Sequence, residues 1–153
     1  MTHAIYPRTL LTAFILLAED DDDLRCILSH TMRQGGHSVR EVTNTVDFEK
    51  IIIKLQNTPP EQRAINLIVS DIHLENGSIL PILKKYRSFI SAFPTILITS
   101  DRSPDVVDAA MTLGVKDVLA KPFDLPFLMD TIHRTRAAGV THRRVTGAPG
   151  NVK

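Results

Sequence analysis

Residues 13–36 read AFILLAEDDDDLRCILSHTMRQGG, and the change of rhythm inside this stretch decides the fold. Residues 13–18 are apolar without alternation, the pattern of a strand covered on both faces. Five acids follow, Glu19 to Asp23. Leu24, Ile27, Leu28, Thr31 and Met32 then recur at the i, i+3, i+4, i+7, i+8 spacing of an amphipathic helix. Gly35-Gly36 ends that helix in the left-handed conformation that glycine adopts cheaply. The unit is a strand, an acidic turn and a helix, with the acids at the carboxyl end of the strand.

The same alternation continues along the chain. Ser38–Val42 reads as a weaker second strand, and Phe48, Ile51, Ile52 and Leu55 stripe a second helix that stops before Pro59-Pro60. A polar loop is expected over 57–65. Residues 67–70 (LIVS) form a third strand, and Ile79, Ile82, Leu83, Tyr86 and Ile90 a third helical stripe. Thr95–Thr99 is the fourth strand. Ser103 as N-cap, Pro104 at the first helical position and Asp105 in the first turn open a fourth helix, which Gly114 closes. Asp117–Ala120 is the fifth strand. Asp124 and Pro126 start a last helix, expected to run to about residue 138.

Five β/α units in series predict an α/β fold, a doubly wound five-stranded parallel sheet with helices on both faces. The right-handed crossover rule leaves few topologies, and the flavodoxin-like order 2-1-3-4-5 is the commonest for five strands. The expected organisation is an N-terminal extension over 1–12, one domain over 13–138 and a flexible basic tail over 139–153. Ligands in such sheets bind beyond the carboxyl ends of the strands.

Composition narrows the function. The 153 residues carry a net charge of +1, but Arg143, Arg144 and Lys153 sit in the tail with no acid, leaving the body slightly acidic. That balance argues against direct DNA binding. The single cysteine, Cys26, excludes an internal disulfide and suits a reducing, cytoplasmic setting. The histidines show no zinc spacing. The apolar segment 10–18 is too short to span a bilayer and runs straight into acids, so no membrane span is expected.

The strand ends carry the chemistry. Strand one ends in Glu19-Asp20, strand three in Asp71, strand four in Thr99-Ser100 and strand five in Lys121. Crowded carboxylates repel one another unless a cation lies between them. A hard divalent ion such as Mg²⁺, bound through a few carboxylates and water, relieves this. Asp71 can then serve as a carboxylate nucleophile toward phosphorus, with Lys121 and the ion countering the charge on the transferred group.

With these residues in place, the chain resembles the response-regulator receiver family. The resemblance lies in LLAEDDDDLR (16–25), LIVSDIHLENG (67–77), LITS (97–100) and GVKDVLAKPF (114–123), in the family's order and at its intervals, over roughly residues 13–138. It implies that Asp71 is the phospho-acceptor and that Glu19 and Asp20 are the metal-binding acidic pair, Asp20 the more direct ligand. The His73 backbone carbonyl is implied as a further metal ligand. Thr99 matches the hydroxyl that moves toward the phosphoryl group, and Lys121 the lysine that pairs with it. The implied partners are a sensor histidine kinase or a histidine phosphotransfer protein and a downstream protein target. Beyond slow autodephosphorylation, no enzyme activity is expected. The Lys121-Pro122 bond matches one that is usually cis.

Three features depart from the family pattern. Only six positions separate Asp71 from Gly77, two fewer than usual, with Glu75 where a proline is common. Val118 stands where an aromatic residue is frequent. No output domain follows within these 153 residues. Two rival readings remain open at this point. One is a pseudo-receiver, an interaction module without useful phosphorylation, which the short loop and Val118 favour. The other is an aspartyl-phosphate phosphatase, which typically needs an aspartate two residues after the nucleophile, where this chain has His73.

Overall fold

The structure, a computed structural model, describes residues 12–145. Strands β1 (Phe14–Ala18), β2 (Ser38–Val42), β3 (Leu67–Asp71), β6 (Thr95–Thr99) and β7 (Asp117–Ala120) form one parallel sheet in the order β2-β1-β3-β6-β7. This is the expected order 2-1-3-4-5. The helices are α1 (Asp22–Gln34), α2 (Thr45–Gln56), α3 (Leu80–Lys85), α4 (Arg87–Ile90), α5 (Pro104–Thr112) and α6 (Leu125–Val145). Residues 73–78 add a small antiparallel hairpin, β4 (His73–Leu74) and β5 (Gly77–Ser78).

The unbroken apolar strands are explained by two cores. Leu16 and Ala18 of β1 face a cluster built from α2, α3, α4 and α5, with Phe48, Ile52 and Leu83 fully buried in it. Ile15 and Leu17 face the opposite cluster, which holds Leu28 and Met32 of α1 and Leu128 and Ile132 of α6. Helices α1 and α6 therefore share one face and the rest cover the other. Burial of a side chain the size of Phe48 stabilises by about 2–3 kcal/mol.

Several local expectations are revised. On α1 the buried stripe is turned, so that Ile27 is 50% exposed while Ser29 is buried. The third helical stripe is two short helices meeting at Tyr86, which has a non-helical backbone. The break falls where Lys85 and Tyr86 both reach Glu49 of α2, donating to its Oε1 at 2.9 and 2.8 Å. The polar loop contains a 3₁₀ turn, Pro60–Gln62. Ser103 does occupy the N-cap of α5, but its hydroxyl does not cap. Instead, Asp101 Oδ1 accepts the Ser103 amide at 2.9 Å. Asp124 caps α6 as expected, accepting from the Phe127 amide at 2.7 Å.

The last helix extends to Val145, not to about residue 138. Gly139 is a lone glycine, which costs only about 1 kcal/mol in a helix interior and does not end one by itself. Residues 140–145 contain neither Gly nor Pro. The rest of the expected tail, 146–153, and nearly all of the expected N-terminal extension lie outside the described residues.

Candidate functional site

The parallel register sets the site. Ala18 pairs with Ser70, Asp71 with Ile98 and Thr99 with Ala120. The residues just past these pairs, Glu19 and Lys121, join Asp71 and Thr99 at one edge of the sheet. Hydrogen bonds continue the strands there: the Glu19 amide donates to Val42 O at 3.1 Å and the Lys121 amide to Thr99 O at 2.8 Å.

Glu19, Asp20 and Asp71 each place a carboxylate oxygen within 4.8 Å of the other two. Glu19 and Asp71 are buried, whereas Asp20 is exposed and opens the cluster to solvent. Lys121 Nζ lies between the buried pair, donating to Asp71 Oδ2 at 2.5 Å and to Glu19 Oε2 at 3.2 Å. Burial raises the pKa of Glu19, and the Asp71 charge pushes it the same way, against the opposing pull of Lys121. For Lys121, burial works to lower the pKa, but the hydrogen bond from its ammonium to Asp71 and the charges of Asp71 and Glu19 outweigh it and raise the value. With all four groups ionised, one ammonium against three carboxylates leaves two negative charges. An all-oxygen donor set with that charge and one open side fits a hard divalent cation that keeps part of its water.

Of the residues the sequence singled out, Glu19, Asp20, Asp71 and Lys121 converge. Thr99 is buried beside them, but its hydroxyl is engaged elsewhere. Its Oγ1 accepts the Asp101 amide at 2.9 Å and donates to Asp101 O at 3.3 Å. His73 enters through its backbone, its N–H donating to Asp71 Oδ1 at 3.0 Å. Its side chain is exposed, and its charge contributes to the lowered pKa of Asp101, behind the hydrogen bonds from Ser103.

The shortened loop after Asp71 closes as the β4–β5 hairpin. Gly77, with φ +122, permits the return, a conformation that L side chains rarely adopt. The Ile79 amide then bonds Ile72 O at 2.9 Å. The Lys121-Pro122 peptide is cis. Val118 packs half-buried against the larger core.

Two arginines that sequence reasoning passed over brace the site. Arg25 Nη1 donates to Glu19 O at 3.0 Å while Nη2 pairs with Asp22 Oδ1 at 2.6 Å. The i, i+3 spacing of Asp22 and Arg25 was the available signal. Arg102 Nη2 donates to Lys121 O at 2.8 Å, a tie between two loops that no spacing announces.

Comparison with known proteins identifies the family and the fold. The family model for the response regulator receiver domain matches residues 15–133. The response regulator protein FleR of Pseudomonas aeruginosa is 29% identical over 124 residues, covering 81% of this chain and 24% of FleR. The transcriptional regulatory protein ZraR of Klebsiella oxytoca is 26% identical, covering 88% of this chain and 28% of ZraR. The chain thus spans about a quarter of the length of these curated relatives. Among solved structures, the chemotaxis response regulator CheY4 of Vibrio cholerae superposes with a TM-score of 0.66 at 23% identity, covering 81% of this chain and 98% of that one. A CheY-like receiver domain protein from Methanospirillum hungatei does so with a TM-score of 0.71 at 18% identity, covering 84% and 96%.

Proposed function

Since the chain belongs to the response regulator receiver family, we propose that it is a phospho-acceptor of two-component signalling, modified on Asp71 by a sensor histidine kinase or a histidine phosphotransfer protein. The observation that carries this reading is the Asp71 carboxylate, buried at a strand end with Lys121 on one oxygen and the His73 amide on the other. Such a carboxylate is held in one orientation, which favours in-line attack on phosphorus. A bond forms from an Asp71 oxygen to phosphorus as the P–N bond of the donor phosphohistidine breaks, and the released nitrogen takes up a proton. Lys121, freed from its short contact, then pairs with a phosphoryl oxygen.

Mg²⁺ would be held by Asp20 and Asp71, with Glu19 behind them and the His73 carbonyl as a further ligand. When bound, the cation supplies positive charge beside the phosphoryl oxygens. Thr99 is the group that responds. It exchanges its Asp101 contacts for a charge-assisted hydrogen bond to the new phosphoryl group. The protein signals through contact with another protein rather than with DNA, and works in the cytoplasm. No helix among the described residues is long and apolar enough to cross a membrane.

Exposure to acetyl phosphate and Mg²⁺ should add one phosphoryl group to the wild type, labile to hydroxylamine, and none to Asp71→Asn. Equal incorporation in both would place the acceptor elsewhere. No incorporation in either would favour the pseudo-receiver reading, for which the short loop and Val118 speak.

A further inference from the structure

At the opposite end of the sheet from Asp71, two histidines meet. His37, just before β2, is 6% exposed. Its Nε2 lies 3.3 Å from Nε2 of His133 on α6, and the ring centroids are 5.3 Å apart. The Nδ1 of His37 accepts the backbone amide of Ala13, at the entry to β1, at 2.9 Å. Helix α6 is closely applied here: a Cβ on Gly35 would stand 2.6 Å from Met129 Cε and 3.4 Å from His37 Cδ2.

The Ala13 contact fixes the protons. Because an amide N–H can only donate, His37 Nδ1 carries none, so the neutral ring holds its proton on Nε2. That Nε2–H donates to His133 Nε2, which leaves the His133 proton on Nδ1. The chain of donors and acceptors has one consistent arrangement. A proton added to His37 sets Nδ1–H against the Ala13 N–H, and a proton added to His133 sets two Nε2–H groups against each other. A tautomer change on His37 gives no escape, because it meets the Ala13 amide again.

The 3.3 Å separation would also suit two imidazoles on one zinc ion. The same proton assignment rules that out, since His37 Nε2 has no free lone pair. Among the described residues no third His, Cys, Asp or Glu completes a cluster there.

We propose that the His37–His133 contact is a proton-operated latch, which ties α6 to the start of β1 while both rings are neutral and lets go when either takes a proton. The groups around His37 favour the neutral state. Helix α6 presents His133 and Arg136, both of which oppose a positive charge. Helix α1 presents the Met32 carbonyl, bonded to the His37 amide at 3.1 Å. Its Arg33 guanidinium is turned instead to Glu41 and Val39 O of β2. The entry to β1 presents the Ala13 amide. Burial, then His133 and Arg136, lower the pKa of His37. The unfolded chain therefore takes up protons first as pH falls through the ordinary histidine range, and the latch weakens in that direction. Leu128 and Ile132 stay buried, so the loosening is confined to the stretch of α6 beyond His133.

Hydrogen exchange and imidazole NMR test this on the whole chain. At about pH 7.5 the His37 ring should show the Nε2–H tautomer, and protection factors over 133–145 should fall about fivefold by about pH 5.5, the loss expected for one buried hydrogen bond. His133→Gln keeps an acceptor opposite His37 and leaves His37 as the one ring of the pair that can take a proton, so its α6 should lose less protection at the lower pH than the wild type does. An Nδ1–H tautomer on His37, α6 protection that does not change with pH, or an unchanged pH dependence in His133→Gln would each overturn the latch. None of these readouts depends on phosphorylation of Asp71.

Discussion

Lys121 Nζ and Asp71 Oδ2 are in direct contact at 2.5 Å, with Glu19 Oε2 on the far side of the same ammonium at 3.2 Å. The lysine occupies the place of positive charge in the pocket, and that makes it a competitor of any added cation as well as a partner of the acceptor.

Lys121→Met should therefore have two opposite effects. Removing one member of a largely buried pair leaves two carboxylates uncompensated, and the metal-free protein should lose about 2–3 kcal/mol in denaturant unfolding. Mg²⁺ should bind more tightly and recover part of that loss, because three carboxylates then face the ion without the ammonium. Asp20→Asn should instead weaken Mg²⁺ by about tenfold or more. Calorimetric titration of the three proteins checks the order.

The pH dependence of Glu19 has a definite sign. Its pKa is raised in the folded state, chiefly by burial, so the folded chain holds a proton that the unfolded chain has released. The stability this group contributes is full below the ordinary glutamate range and is lost as pH rises through the raised value. Glu19→Gln, measured without divalent ions, should unfold at a higher temperature than wild type near neutrality, with the difference vanishing in acid. A difference that grows as pH falls would contradict the assignment.

Thr99 should be needed for the response but not for the chemistry. A beryllofluoride mimic with Mg²⁺ should change amide exchange over 100–103 and the first turn of α5, where Asp101 links Thr99 to the Ser103 amide. In Thr99→Ala the mimic should still bind, while the exchange change over α5 should fall by half or more. Val118 has no ring to swing into vacated space, so the wild-type change should centre on this loop.

Gly114 tests the scaffold apart from the site. Its φ is +84, and a Cβ there would lie 2.9 Å from Ser91 Cβ. Gly114→Ala should cost about 1–3 kcal/mol and leave phosphorylation of the folded fraction unchanged. Equilibrium unfolding measures the first and labelling with acetyl phosphate the second.

Sequence alone reached the sheet order because each strand is an apolar run flanked by a helix of regular period, and parallel β/α units admit few arrangements. Glu19, Asp20, Asp71 and Lys121 were legible for the same reason: strand ends of a parallel sheet must meet. The β4–β5 hairpin was not, since two-residue strands carry no period. The Thr99 hydroxyl's partner depends on how the backbone turns at Asp101, and Ile27's exposure on a rotation of α1 that a five-residue stripe does not fix. The full length of α6 was not legible either, because residues 139–145 carry no apolar stripe to mark them as helical.

The interleaving of β1 between β2 and β3 bears on how the chain is made. β1 leaves the ribosome before the other strands of the sheet and can pair with β2 soon after, but its other edge faces β3, which begins at Leu67. Until β3 is synthesised, Ile15, Leu16 and Leu17 border an open strand edge of the kind that invites association between nascent chains. The stretch between β2 and β3 therefore sets the length of a vulnerable interval, and slowing translation there should increase chaperone dependence more than slowing it after β6.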